Sequence, residues 1–440
     1  MDNNYRRKIE PGKKTAGTRN IMLLILTLIV AAASVAYIIL TLTSCTDSGS
    51  SGKTNANPKV TDSGVVEVVP ESTAKILSTG DILIHEPILV NAKNNDNTYD
   101  FTRSFSHVKD IISKADFAVC NLEVTLAGAG KGYSSFPLFN TPDEIVSALK
   151  STGFDLLLTA NNHSYDTGLS GLYRTVDVIA EKNLYSTGSR SSRDDKLYKV
   201  VDVSGIKIGM INYTYETSPQ KAGRKSLNGN LMDPDANDMI NSFRYDRLDE
   251  FYKDIESKII GMKKDGAQAV MLYIHWGDEY QLSPNSYQKE IAKKMSELGV
   301  DVLIGGHPHV IQPVETIENE VNDNKMLCVY SLGNALSNQR IKYMGIKTGH
   351  TEDGMFFYTT FTKYSDGTVK LTSVECVPTW VNIAQVGSKS IHQIVPLSNT
   401  MTKGAIPASA IKSSQNSYER TMALVGEGID KFNKMTDPGN

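Results

Sequence analysis

The chain has 440 residues but only four cysteines, and none of them form a Cys-x-x-Cys pair. Cys45, Cys120, Cys328 and Cys376 therefore offer neither a disulfide framework nor a thiolate metal site. The last three sit in apolar runs, where a thiol behaves as a small buried hydrophobe. A surplus of one charge is missing too: 46 Lys+Arg against 49 Asp+Glu leave a net charge of -3. That gives no basic footprint for nucleic acid. There is no Gly-x-Ser-x-Gly turn, no Gly-x-x-x-x-Gly-Lys-[Ser/Thr] loop and no His-Glu-x-x-His helix, so the motifs of those three catalytic classes are excluded.

One apolar run stands apart. Residues 21–42 carry no charged side chain, and at about 1.5 Å per residue a helix over them reaches about 33 Å, against a hydrocarbon core of about 30 Å. Arg6, Arg7, Lys8, Lys13, Lys14 and Arg19 precede the run and the next base is Lys53. Residues 1–20 therefore read as a basic cytoplasmic segment, with everything after the run outside. The run is longer than the usual secretory h-region, which favours a single transmembrane signal anchor at 21–43. Leu42-Thr43-Ser44-Cys45 also reads as a lipoprotein signal ending at Cys45. Both readings tether the rest to the outer face of the cytoplasmic membrane. Residues 44–73, rich in Ser, Gly, Thr, Asn and Asp, read as a flexible linker. A main domain is expected over 74–385 and a C-terminal tail over 386–440.

From Ala74 onward one pattern repeats: amphipathic helix, short apolar run, polar loop. It predicts helices over 105–114, 142–151, 248–264 and 286–298, and strands over 117–120, 156–159, 269–274 and 302–304. Continuous apolar strands are buried on both faces, as in parallel sheets, and such sheets gather ligands beyond the carboxyl ends of their strands. A hairpin at 200–213, turning at Ser204-Gly205, and a strand-rich stretch at 326–377 complete an α/β fold of sandwiched sheets flanked by helices. Residues 216–244 are polar and lack periodicity, which reads as a long loop at the mouth of a site.

Six short motifs mark this domain, most of them just after an apolar run: Gly80-Asp81, Asn121-Leu122-Glu123, Asn161-Asn162-His163-Ser164-Tyr165-Asp166, His275-Trp276-Gly277-Asp278-Glu279-Tyr280, Gly305-Gly306-His307-Pro308-His309 and Ser331-Leu332-Gly333-Asn334. Their carboxylates, amides and imidazoles suit one or two borderline divalent cations such as Mn, Fe or Zn. Asp81 can bind a cation through one oxygen, and Glu123 can touch two cations at once. The Asn162 amide oxygen can ligate without adding charge, while the adjacent His163 can give a proton to a leaving oxygen. His275, His307 and His309 supply three imidazoles, and an extended His307-Pro308-His309 would point both rings the same way. Trp276 reads as a core side chain and Glu279 as a loop group or a contact for a cationic substrate. Gln312, Glu315 and Asn334 read as groups behind the ligands. His107, His350 and His392 fall outside the motifs.

Asn-Leu-Glu, Ala160-Asn-Asn-His, Ile274-His-Trp-Gly-x-Glu-Tyr, Gly-Gly-His-Pro-His-Val-Ile-Gln and Tyr330-Ser-Leu-Gly-Asn follow one another in an order that resembles the CapA family of capsule and poly-gamma-glutamate biosynthesis. That family is itself similar to calcineurin-type metallophosphoesterases. The resemblance spans roughly residues 74–385. It implies a metallophosphoesterase-like β-sandwich in which Asp81, Glu123, Asn162, His275, His307 and His309 bind metal. It also implies that Glu123 stands where a bridging aspartate is usual, that His163 is the catalytic acid and that Asp166 sets its tautomer. The chain departs from the pattern twice. Such sites usually carry Asp-x-His, whereas His85 comes later, as Asp81-x-x-x-His85, and can join Asp81 at one ion only where the backbone turns. Ala335 stands where an aromatic residue usually follows Ser-Leu-Gly-Asn.

Three function classes remain on this reading. The first is a membrane-tethered CapA-like protein of capsule or poly-gamma-glutamate production, a possible metal-dependent hydrolase of phosphoesterase type. The second is a general extracytoplasmic metallophosphoesterase, and the third a non-catalytic polymer-handling partner of a membrane synthase. The expected partners are the cytoplasmic membrane, membrane components of a polymer synthase, and an anionic polymer or phosphorylated substrate. Nucleic acid is not among them.

Overall fold

The structure, a computed structural model, describes residues 67–218, 223–319, 325–399 and 407–437. The apolar run at 21–43 lies outside them, and among the described residues no helix is long and apolar enough to cross a membrane.

Four polar residues placed just before buried strands set the parallel register. Lys75 N–H donates to Asp116 Oδ2 at 2.7 Å while Asp116 N–H returns a bond to Lys75 O at 3.0 Å. The same reciprocal pair joins Ala118 to Asp155, Lys207 to Gln268 and Val270 to Asp301. Each pair satisfies backbone groups at the sheet margin and aligns the apolar run that follows.

Along the chain, β1 (Pro70–Ile82), β2 (Phe117–Leu122), β3 (Leu156–Leu158) and β4 (Tyr185–Thr187) run parallel in the first sheet. The hairpin β5 (Tyr198–Val203) and β6 (Ile206–Tyr215) opens the second. A small hairpin, β7 (Ser226–Leu227) and β8 (Asn230–Leu231), and then β9 (Ser242–Phe243) occupy the long loop. β10 (Ala269–His275), β11 (Val302–Gly306), β12 (Val314–Glu318) and β13 (Lys325–Val329) complete the second sheet, in the order β12-β13-β11-β10-β6-β5 with β9 beside β6. The chain then returns to the first sheet with β14 (Asn334–Leu336), β15 (Asp353–Tyr364), β16 (Val369–Val386) and β17 (Lys389–Pro396), giving the order β17-β16-β15-β1-β2-β3-β4 with β14 paired to β1.

The helices are α1 (Glu86–Ala92), α2 (Glu144–Thr152), α3 (Gly168–Glu181), α4 (Leu248–Lys264), α5 (Ser286–Glu297) and α6 (Ile411–Thr436). α5 starts on a capping box: Gln288 N–H donates to Asn285 Oδ1 and Asn285 N–H to Gln288 Oε1. α2 stops at Gly153, whose φ of 112° ends the helix. The helix expected at 105–114 is instead a 3-10 turn, Thr102–Phe105, and one α turn, Lys109–Ile112. The Ser106 hydroxyl there donates to Arg103 O, a local bond that competes with the helical ladder.

Between the sheets, Ile76, Val119 and Leu156 of the first pack with Met210, Met271, Ile304 and Leu327 of the second. Ile88, Ile145 and Leu149 cover the other face of the first sheet, and Phe251, Ile255, Ile291 and Met295 that of the second. The result is helix, sheet, sheet, helix, with each buried aliphatic stabilising by about 1.5–3 kcal/mol. Residues 386–440, set apart in the sequence as a tail, include β17 and α6. β17 pairs with β16, and Val425, Ile429 and Phe432 of α6 enter the inter-sheet core.

The motif-bearing ends meet at one rim. Asp81 lies opposite Asn121 and Asn334, and His275 lies opposite Gly306. The approach is close enough that a Cβ on Gly80 would sit 1.8 Å from Gly333 O, so only glycine fits there.

Candidate metal centre

From the first sheet come oxygen donors and from the second come imidazoles. Asp81 is the last residue but one of β1, Glu123 follows β2, and Asn162 lies in the loop after β3; His275 ends β10, and His307 and His309 follow β11. All six side chains are buried. His275 Nε2 lies 3.0 Å from Asn162 Oδ1 and 3.5 Å from Glu123 Oε1. His309 Nδ1 is 3.3 Å from Asp81 Oδ2, and its Nε2 is 4.0 Å from Glu123 Oε1. A Cβ on Gly306 would come within 2.9 Å of Asp81 Oδ1, so the glycine leaves room for the carboxylate.

Two donor groups emerge from this arrangement. Asp81, Glu123 and His275 each offer an atom within 4.8 Å of the others, and so do Glu279, His307 and His309. Glu123 Oε1 and His307 Nδ1 are buried without any hydrogen-bond partner. Unpaired polar atoms at such depth cost about 1–3 kcal/mol each. A divalent cation in each donor group would satisfy the atom it holds, and the mixed oxygen and nitrogen donors fit Mn, Fe or Zn.

The local electrostatics agree with that fit. Burial, reinforced by His275 and His309, holds the His307 imidazole well below its ordinary value, so its lone pair is free for a cation. Burial acts in the same direction on His309, but Glu123 and Asp81 outweigh it and raise the imidazole to about 9. Burial opposes ionisation of Asp81, yet its hydrogen bond to His309 and the charge of His275 hold the carboxyl below the usual carboxylate range. A proton on His309 therefore occupies a place for which a cation competes.

Behind the donors stands a polar network. Asn121 Nδ2 donates to Asp81 Oδ1 at 2.7 Å, and Asn161 Nδ2 donates to Asn121 Oδ1 at 3.0 Å. Asn334 Oδ1 lies 3.1 Å from His309 Nδ1, and the Tyr215 hydroxyl 3.1 Å from His307 Nε2. Next to Asn162, His163 Nδ1 lies 2.7 Å from Asp166 Oδ2, and that oxygen also accepts Phe139 N–H at 2.7 Å. The Phe139 ring meets the imidazole edge-on at 4.8 Å. The long loop reaches the same place, with Asn228 Nδ2 3.4 Å from His163 Nδ1.

Several expectations change. His307 and His309 are not extended: both adopt left-handed backbone, with φ of 94° and 56°. The turn sends His307 toward Tyr215 and His309 toward Asn334. His85 stays outside both donor groups. Its Nδ1 accepts Asn338 N–H at 3.2 Å, and burial pushes its imidazole down to about 3. Gln312 braces Gln288 and the Gln281 carbonyl, and Glu315 accepts the Tyr330 hydroxyl on β12, so neither stands behind a ligand. Trp276 is fully buried and donates to Tyr330 O, as its core assignment requires. Glu279 and Tyr215 joined the site without a clear signal in the sequence. Glu279 lay in a motif but had no assigned metal role, and Tyr215 merely ends an apolar strand.

Residues 75–339 match the family described as "Bacterial capsule synthesis protein PGA_cap". Among curated relatives, the "PGA biosynthesis protein CapA" of Bacillus subtilis is 30% identical over 53% of this chain and 57% of its own length. The "Capsule biosynthesis protein CapA" of Bacillus anthracis is 29% identical over 59% of each chain. A "Probable polyglutamine synthesis accessory protein" of Mycobacterium tuberculosis is 23% identical over 46% of this chain and 51% of its own. The chain thus spans little more than half the length of the curated relatives it matches.

Proposed function

Because the chain belongs to the bacterial capsule synthesis protein family PGA_cap, we propose that it is a membrane-anchored, extracytoplasmic protein of capsule or poly-gamma-glutamate biosynthesis that works through a divalent-metal centre. The observation that carries the metal reading is the pair of orphaned buried atoms, Glu123 Oε1 and His307 Nδ1, one in each of the two donor groups. Asp81, Glu123, Asn162, His275, His307 and His309 would hold the cation. Anchoring rests on the apolar run at 21–43 and its preceding basic segment.

A bound divalent cation supplies Lewis acidity to a substrate oxygen and lowers the pKa of a bound water. The protein's own part is proton handling. Asp166 holds His163 by Nδ1, which leaves Nε2 as the atom that carries and gives up a proton. The Phe139 amide holds Asp166 in turn, so the imidazole keeps one orientation. This arrangement fits cleavage of a phosphoryl or acyl-related bond in an anionic polymer or phosphorylated substrate, with His163 protonating the leaving oxygen; membrane synthase components are partners in the same proposal.

His163→Ala tests this. The variant should keep its metal and lose about 10²–10⁴-fold in turnover, the usual contribution of a general acid. Full polymer production by a metal-replete His163→Ala protein would refute a catalytic His163 and favour the polymer-handling alternative.

A further inference from the structure

We propose that the cavity between the long loop and α4 binds a small acidic zwitterion, a ligand with one ammonium group and at least two carboxylates, such as a short acidic peptide. None of the donors of the metal centre lines this cavity, so the inference stands apart from the reading above.

The cavity measures about 510 Å³ and lies against the edge of the second sheet, where Tyr198 of β5, Ser242 and Phe243 of β9 and Phe251 of α4 line it. That volume falls within the range of about 300–1,000 Å³ usual for small-molecule sites. Its walls carry both signs of charge: six Lys or Arg and four Asp or Glu side chains. Asp265 and Asp246, which pair with Lys196 and Arg244, are not among the four, so bases outnumber acids at the wall itself. A plain polyanion would meet four carboxylates there, and a plain cation six bases. A ligand that carries both signs with carboxylate in excess matches the wall.

Lys225 is the group left incomplete. Burial pulls its ammonium below the ordinary value, against the opposing charge of Glu216. Its Nζ donates to the Ser242 hydroxyl at 2.8 Å, but Glu216 Oε1 lies 3.7 Å away, beyond hydrogen-bond reach. Ser242 Oγ itself donates to that oxygen at 2.9 Å, so a neutral hydroxyl stands between the two charges. Lys258 on the same wall differs, with Asp254 Oδ2 at 2.5 Å and the Tyr213 hydroxyl at 3.0 Å. An ammonium has three hydrogens to donate, and a buried one is costly until an anion meets it. A ligand carboxylate beside Lys225 supplies that anion. Nearer solvent, Arg247 and Glu250 form an exposed pair at 3.3 Å, a weak contact into which a second ligand carboxylate and the ligand ammonium can exchange.

Calorimetric titration of the purified full-length chain with glutamyl-glutamate, with its N-acetylated form and with inorganic phosphate tests this. The wild type should bind glutamyl-glutamate saturably and the other two at least about tenfold more weakly, because each forgoes a charge-assisted hydrogen bond. Lys225→Met should weaken glutamyl-glutamate by at least about tenfold, and Lys225→Arg, which keeps the charge, should recover most of the loss. Arg247→Ala sits on the exposed rim, where it removes no core contact, and should weaken binding by a smaller factor. Circular dichroism and metal content should match the wild type in all three variants. No saturable binding by the wild type, equal affinity in Lys225→Met, or phosphate or the acetylated dipeptide binding as tightly as glutamyl-glutamate would each overturn the proposal. Were Lys225→Met to misfold, an unchanged affinity in Arg247→Ala would overturn it instead.

Discussion

The two sheets bring different chemistry to the same seam. β1, β2 and the loop after β3 deliver Asp81, Glu123 and Asn162 from near regular strand ends, and these are all oxygen donors. β10 and the turn after β11 deliver His275, His307 and His309, two of them from left-handed backbone that few residues adopt without cost. Among the six ligands expected from the sequence, neither sheet supplies oxygen and nitrogen together; Glu279, in the loop after β10, is the one carboxylate that joins the imidazole side. The inter-sheet core therefore does more than stabilise: the packing of Ile76 and Val119 against Met271 and Ile304 sets the distance between oxygen and nitrogen.

Three substitutions put this contrast to the test. The largest effect is expected of Glu123→Gln, since its Oε1 borders imidazoles from the other sheet and has no other partner. Metal affinity should fall by more than the roughly 10–100-fold that an outer-shell loss costs, read by competition with a chromophoric chelator. An unchanged affinity would detach the oxygen side from the centre.

Next comes Asn334→Ala, which leaves every donor in place and removes the amide oxygen at 3.1 Å from His309 Nδ1. Affinity should drop about 10–100-fold, with the fold retained by circular dichroism. No change would mean that Asp81 alone orients the His309 ring.

The smallest effect concerns the strand-start clamps. Burial pushes the Asp301 carboxyl up to about 6, whereas Gln268 does the same job in the same sheet with a neutral amide. An acid whose folded value is raised loses stability as pH rises, here from about 4 to 6, because the unfolded chain ionises first. Asp301→Asn should therefore be more stable than the wild type at pH 7 by about 1–3 kcal/mol, since each tenfold change in proton affinity is worth about 1.4 kcal/mol, and the gap should close by about pH 4. Urea unfolding at the two pH values measures it, and a gap independent of pH would show that the carboxylate is not penalised.

Much of this arrangement was legible in the residues. The helix at Leu248–Lys264 and the buried strands before Asn121, His275 and His307 follow from periodicity alone, and strands that are apolar throughout place their following motifs at one rim. What stayed hidden depended on contacts that no local pattern encodes. α6 contains Gly426 and Gly428 and many polar residues, so its place in the core comes from Val425, Ile429 and Phe432 meeting both sheets. The left-handed turn at His307-Pro308-His309 looked extended because proline restricts its neighbour toward such backbone, and here the closely packed site overrides that local preference. Glu279 is visible as a motif residue, but its place beside the imidazoles depends on non-local contacts such as the bond from Tyr280 N–H to Pro308 O.

If both sheets are needed for one metal centre, removing a donor from either one should empty it. Elemental analysis of the purified full-length chain, compared with Asp81→Asn from the first sheet and His275→Ala from the second, tests this most directly. Bound divalent metal is expected in the wild type and its loss from each variant, with both still folded. Wild-type metal content in either variant would contradict a centre shared between the sheets.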